Sequence, residues 1–289
     1  MGLVSIPTTF FTRTRPSLGS FMSIREMTPV ANIDLNPTTL LIGVAAIGIV
    51  LSESALYAGS VAIALWGHFL VLLLCAFVPV RLRTVTSLCQ VIALLPVFRI
   101  VNLGMPALFD APLASIVPIY GVLLLAVLLV AGPWGATKVT VGWKLGLFSI
   151  PITIPIAFVL AEFEYALYQP DPFVGSWTGP QIVLFAVVMI GFVALVEELL
   201  FRGLVQGAFV DYLGRWSGIT LASVLFAAMH SGHGVPELVA FAFVIGFAFG
   251  VLYDRTGSLL TVIVLHGFLN VFLFGFLAVH GSILGPFIA

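Results

Sequence analysis

Apolar runs of about 20 residues, the length a helix needs to cross roughly 30 Å of hydrocarbon, recur along the whole of this chain. Candidates lie near residues 38–57, 59–80, 85–103, 112–132, 145–167, 180–208, 217–231, 236–253 and 258–280. Only 8% of the residues are charged and 61% are hydrophobic, whereas a soluble domain carries about 25% charged residues. A surface so poor in charge suits the bilayer as its solvent. There every backbone N–H and C=O must be satisfied inside the segment, which favours helices. The expected fold is all-α, a polytopic transmembrane helical bundle of 8–9 spans in the cell membrane with the N terminus inside. Net charge is -1, so no basic footprint for nucleic acid exists.

The basic residues orient the spans. With the N terminus in the cytoplasm, Arg13, Arg15, Arg25, Arg81, Arg83, Lys138, Lys144, Arg215 and Arg255 all fall on the cytoplasmic side, as the positive-inside rule requires. Arg99 and Arg202 lie within apolar runs instead. Nine spans fit most simply. Eight follow if 217–231 is too short, since ~15 residues of helix rise only about 22 Å. Residues 1–37 read as a cytoplasmic arm without a cleavable signal peptide, residues 38–179 as N-terminal transmembrane helices, and residues 180–280 as the core that carries the chemistry. Cys75 and Cys89 read as buried small hydrophobes.

Ionisable groups in hydrocarbon are costly and mark function. Before residue 180 they are few, chiefly Glu53, His68, Arg99 and Glu162; after it, Glu197, Glu198, Arg202, His230 and His266, together with the polar Asn270, crowd three apolar segments. Glu53 and Arg99 each lie about 15 residues into an outward-running span, so they are expected to pair or to share a wet pocket. Residues four apart share a helix face. Glu198 therefore faces Arg202, Phe226 faces His230, and His266 faces Asn270. Pairing with Arg202 commits Glu198 and leaves Glu197, about 100° further round, as the freer carboxylate, suited to act as a general base. A histidine can orient a water against it, and a histidine with an asparagine can donate to a developing oxyanion. Those are the parts needed to hydrolyse an amide. Gly203 with Gly207, and Gly246 with Gly250, read as sites of close helix approach. His233 reads as a loop histidine, His68 and His280 as incidental, and Trp134, Trp143 and Trp216 as interfacial anchors.

Three patterns, Glu197-Glu198-Leu-Leu-Phe-Arg202, Phe226-Ala-Ala-Met-His230 and His266-Gly-Phe-Leu-Asn270, occur in that order on separate segments. With Phe201-Arg202-Gly203 and Tyr253-Asp254-Arg255-Thr256-Gly257-Ser258-Leu259, they resemble the CPBP family, the CAAX-protease and bacteriocin-processing proteins, also called the type II CAAX prenyl endopeptidase or abortive-infection family. The resemblance covers residues 180–275. It implies an intramembrane endopeptidase acting on a membrane-associated peptide or protein. In that reading Glu197 activates water, His230 holds it, His266 and Asn270 form the oxyanion site, and Glu198 with Arg202 supports them. The family was long described as metalloprotease. A His₂Glu zinc site from Glu197, His230 and His266 is the alternative, although no H-E-x-x-H is present and asparagine is a poor zinc ligand; the expectation is that no cofactor is needed. The competing class is a non-proteolytic membrane protein, a Glu/His proton-relay transporter or an immunity-type scaffold. The classes are separated by whether Glu197, His230, His266 and Asn270 meet at one site or string out across the membrane.

Overall fold

The computed structural model describes residues 36–105, 112–132, 139–173 and 178–285. The N-terminal arm, Asp110, Trp134 and Lys138 lie outside them. No strand occurs among the described residues, which form nine helices. These are α1 (Pro37–Tyr57), α2 (Val61–Arg81), α3 (Thr86–Gly104), α4 (Pro112–Ala131), α5 (Trp143–Leu167), α6 (Gly179–Leu213), α7 (Arg215–Ala228), α8 (Pro236–Thr256) and α9 (Leu259–His280). Eight are long and apolar enough to span a bilayer; α7, with 14 residues, is not. This is a multi-pass membrane protein with eight candidate spans, one fewer than the simplest sequence count. The ninth run fails because helix formation stops at Ala228, and Met229 to Val235 form a turn that returns the chain into α8.

Local signals place the boundaries. Asn36 caps α1 by accepting from the backbone N–H of Thr38 and Thr39, with Pro37 at the first position, the arrangement expected of a helix start. Gly214, at φ 82°, separates α6 from α7, and Gly257, at φ 62°, ends α8. Both conformations cost a non-glycine residue. α6 runs further than the sequence reading allowed, to Leu213 rather than residue 208, and its 35 residues correspond to about 52 Å of ideal helix.

The bundle is built around α9. Two thirds of its apolar window, 67%, is buried inside the protein, against 22% for α2, so α9 is central and α2 peripheral. α9 packs along α5 on one side and along α6 on the other. Outward-facing Trp66, Phe77, Phe148 and Val183 are exposed, as lipid-facing side chains should be. At one end the strand-like segment before α5 is stitched to the α8–α9 turn, because Leu259 and Leu260 N–H donate to the Thr140 and Val141 carbonyls at 3.2 and 3.0 Å. Exposed Trp143 and Trp216 sit at this same end, where interfacial aromatics belong.

Candidate active site

The motif residues come from three elements. α6 carries Glu197, Glu198 and Arg202, the turn after α7 carries His230, and α9 carries His266 and Asn270. α6 is α-helical over Leu195–Glu198 but π-helical over Met189–Ala194 and Leu199–Gln206. Such wide turns recur at functional sites. Here they frame the two glutamates. The approach of α9 to α6 is close at Gly267, where a Cβ would lie 2.6 Å from Ile190 Cγ1 and 2.9 Å from its Cα. Only glycine allows this contact, and it sets the neighbouring His266 against the glutamates.

Glu198 is fully buried and holds two cations or donors at once. Its Oε1 accepts from Arg202 Nη1 at 2.8 Å, the pairing expected from the spacing, and from His266 Nδ1 at 2.6 Å. The second bond was not foreseen. A carboxylate can only accept, so Nδ1 carries a proton and the Nε2 edge of His266 is presented elsewhere. Arg202 also donates to the Gly246 carbonyl at 3.3 Å, lies 4.3 Å over the Phe226 ring, and is followed one turn on by Gln206, which donates to the Gly250 carbonyl at 3.0 Å. Gly246 and Gly250 thus open room for polar side chains to reach α8 backbone, a role beyond simple helix approach.

Glu197 is not wholly free. Tyr120 of α4 donates its hydroxyl to Glu197 Oε1 at 2.7 Å, while Oε2 stands 3.8 Å from His266 Nε2. His230 Nδ1 lies 2.9 Å from the Phe226 carbonyl. Because a carbonyl cannot donate, that nitrogen bears the hydrogen, and Nε2 is left as an acceptor. A cavity of about 640 Å³ is bordered by Glu197, His230, His266 and Asn270 together. The four side chains expected to cooperate therefore meet at one space. Glu164, Tyr168 and His233 border it as well, and the His233 ring lies 5.0 Å from that of Tyr168. His233 lies, as expected, in the short turn Ser231–His233, is exposed, and also borders this cavity.

The N-terminal helices hold the His230 turn. Arg99 of α3 and Glu53 of α1 form a buried two-point pair, Nε to Oε1 and Nη2 to Oε2, both at 2.7 Å. Arg99 also donates to the Met229 carbonyl, and Ser231 Oγ donates to Glu53 Oε2 at 2.6 Å. The pair thus grips the residues on either side of His230. His68, expected to be incidental, is fully buried with Nε2 3.1 Å from Glu53 Oε1. Glu162 accepts from the Ile283 N–H at 2.8 Å and from Ser282, which ties the end of α5 to the segment after α9. His280 is exposed and bonds only its own helix, to Phe276 O.

Tyr120, Glu164 and Tyr168 escaped the sequence reading. The available signal was faint: a single tyrosine in the apolar run of α4, and a second acid two residues after Glu162 in the last turns of α5. Among the described residues no three His, Cys, Asp or Glu side chains come together as ligands. The Nδ1 edge of His266 is taken up by Glu198 and that of His230 by the Phe226 carbonyl. No step is routed through zinc.

No curated protein and no solved structure matches this chain. The family model described as "Type II CAAX prenyl endopeptidase Rce1-like" matches residues 179–272, a stretch that contains all six motif residues. Over residues 179–272, from α6 into α9, this multi-pass membrane protein is similar to that family.

Proposed function

We propose that the protein is an intramembrane endopeptidase that hydrolyses a peptide bond of a membrane-associated polypeptide through a water activated by Glu197. One observation carries this reading: Glu197, the free Nε2 edge of His230, His266 and Asn270 border a single cavity inside an apolar bundle. A water bound between Glu197 and His230 Nε2 gives its proton to Glu197 as it attacks the carbonyl carbon. Tyr120 occupies Oε1, so Oε2 is the oxygen turned to this task. The oxyanion that forms is met by the Asn270 amide and by His266. With Nδ1 committed to Glu198, His266 can donate through Nε2 only when it carries both ring protons, and the Glu198 carboxylate then balances its charge. Glu197 finally returns the proton to the leaving amine.

Beyond Glu198 along α6, Arg202 and Gln206 are each buried and bonded to an α8 carbonyl. The convergence of Glu197, His230, His266 and Asn270 on one cavity, rather than a string across the bundle, favours hydrolysis over transport. The test is a peptide-level comparison of membranes from cells with the wild-type protein and with Glu197→Gln. A defined precursor should accumulate, with its fragments missing, in the variant. Identical peptide populations alongside a Glu197-dependent ion or peptide flux would overturn the proposal.

A further inference from the structure

The bundle is electrically polar along its long axis. Arg83 opens the segment leading into α3 and Asn102, near the other end of α3, borders the cavity. Lys144 begins α5 while Glu164 and Tyr168, at its far end, border the cavity; Arg255 closes α8 while Leu238, at its start, borders the cavity. Arg215 at the head of α7 is ion-paired with Asp254 at the foot of α8, and Arg81 ends α2. Among the described residues every Lys and Arg except the buried Arg99 and Arg202 thus lies at the end of the bundle away from the cavity mouth. The cavity wall is the reverse. Its described lining holds three carboxylates, Glu164, Asp171 and Glu197, and no Lys or Arg. Glu197 is engaged by Tyr120. The Glu164 side chain faces the cavity with no hydrogen bond or ion pair among the described residues.

Basic residues in short loops stay in the cytoplasm. The mouth then faces the other way. Resting on the protease reading above, we infer that the cavity takes a positively charged stretch of polypeptide presented on the non-cytoplasmic side of the membrane, with Glu164 as the residue that receives the charge. A volume of about 640 Å³ falls in the range of roughly 300–1,000 Å³ that holds small ligands. It admits a short extended segment and excludes a folded domain. A tail ending in a free carboxylate would meet the carboxylates of Glu164, Asp171 and Glu197, with no Lys or Arg in the described lining, which acts against it. A lysine or arginine side chain would find in Glu164 a carboxylate with no hydrogen bond or ion pair among the described residues, in a wall where charge attraction is less screened than in bulk water. Glu164 is therefore a specificity residue, separate from the groups that act on the scissile bond.

The test uses the full chain reconstituted into vesicles of both orientations. A library of C-terminally amidated, membrane-impermeant peptides is added outside, and cleaved members are read by mass spectrometry. Cleaved peptides are then resynthesised with each Lys or Arg replaced by norleucine, and with a free C-terminal carboxylate in place of the amide. The inference predicts cleavage only where the cavity end faces outward, the end opposite the α5 head, with kcat/KM about tenfold or more higher for the lysine peptide than for its norleucine twin. Glu164→Gln should raise KM for the lysine peptide to that of its norleucine twin, and Glu164→Asp should restore the preference; matched thermal unfolding checks that the variants fold. Cleavage confined to the opposite orientation, or a lysine preference that survives in Glu164→Gln, would overturn the inference while leaving the protease reading intact. Absence of any cleavage by wild type in either orientation would instead remove the protease reading and the inference with it.

Discussion

At the scale of residues, the paired glutamates are assigned different duties by geometry alone. Glu198 is sealed and shared between Arg202 and His266, so Glu198→Gln strands a buried guanidinium. Breaking a buried pair costs about 3–5 kcal/mol, and the purified variant should melt earlier and lose activity together. Tyr120→Phe removes one hydrogen bond to Glu197 without opening a hole. It should leave thermal unfolding within about 1 kcal/mol of wild type yet lower turnover, measured with the same peptide. The Glu198–Arg202 pair was legible because residues four apart share a helix face. Tyr120 was not, since its partner is 77 positions away and a lone tyrosine in an apolar helix carries no spacing to read. The His266 bond to Glu198 was missed for a related reason: helical periodicity pairs residues within an element and is silent on which edge of a ring meets another helix.

At the scale of elements, the short α7 decides whether a site can form. Had it spanned the bilayer, His230 would have been carried to the far interface. It ends at Ala228, and the turn that follows is gripped by Glu53 and Arg99. The sequence placed those two charges at equal depth, and the structure pairs them. That they would bracket His230 was invisible, because the bracket is made to a backbone carbonyl and a serine of the turn. Ser231→Ala loosens one side of this grip. It should cost only about 1 kcal/mol in unfolding but reduce turnover by more than that stability loss explains, which parallel melting and kinetic measurements would show. Gly267→Ala is the complementary test for α9. The added methyl collides with Ile190, so α9 must shift from α6. Overpacking costs about 1–3 kcal/mol, and activity should fall steeply as His266 moves off Glu198. A variant as stable and active as wild type would show that this contact does not set the site.

At the scale of the whole molecule, composition was sufficient for the class. Few charges and repeated apolar runs required a helical bundle in a membrane, and eight candidate spans are found. The boundary of α6 was misjudged because the run continues through Phe209, Tyr212 and Leu213 past what looked like an interface at residue 208. N-terminal helices α1 to α4 carry no motif, yet Glu53, Arg99 and Tyr120 reach from them into the segment that is similar to the Rce1-like family. We propose that one carboxylate, Glu197, activates one water. The most direct measurement is single-turnover cleavage of one peptide by purified wild type and Glu197→Gln, compared at matched thermal stability. The account predicts that the variant folds normally and loses about 10²–10⁴ in rate; a rate within about threefold of wild type, far short of what losing a general base costs, would contradict it.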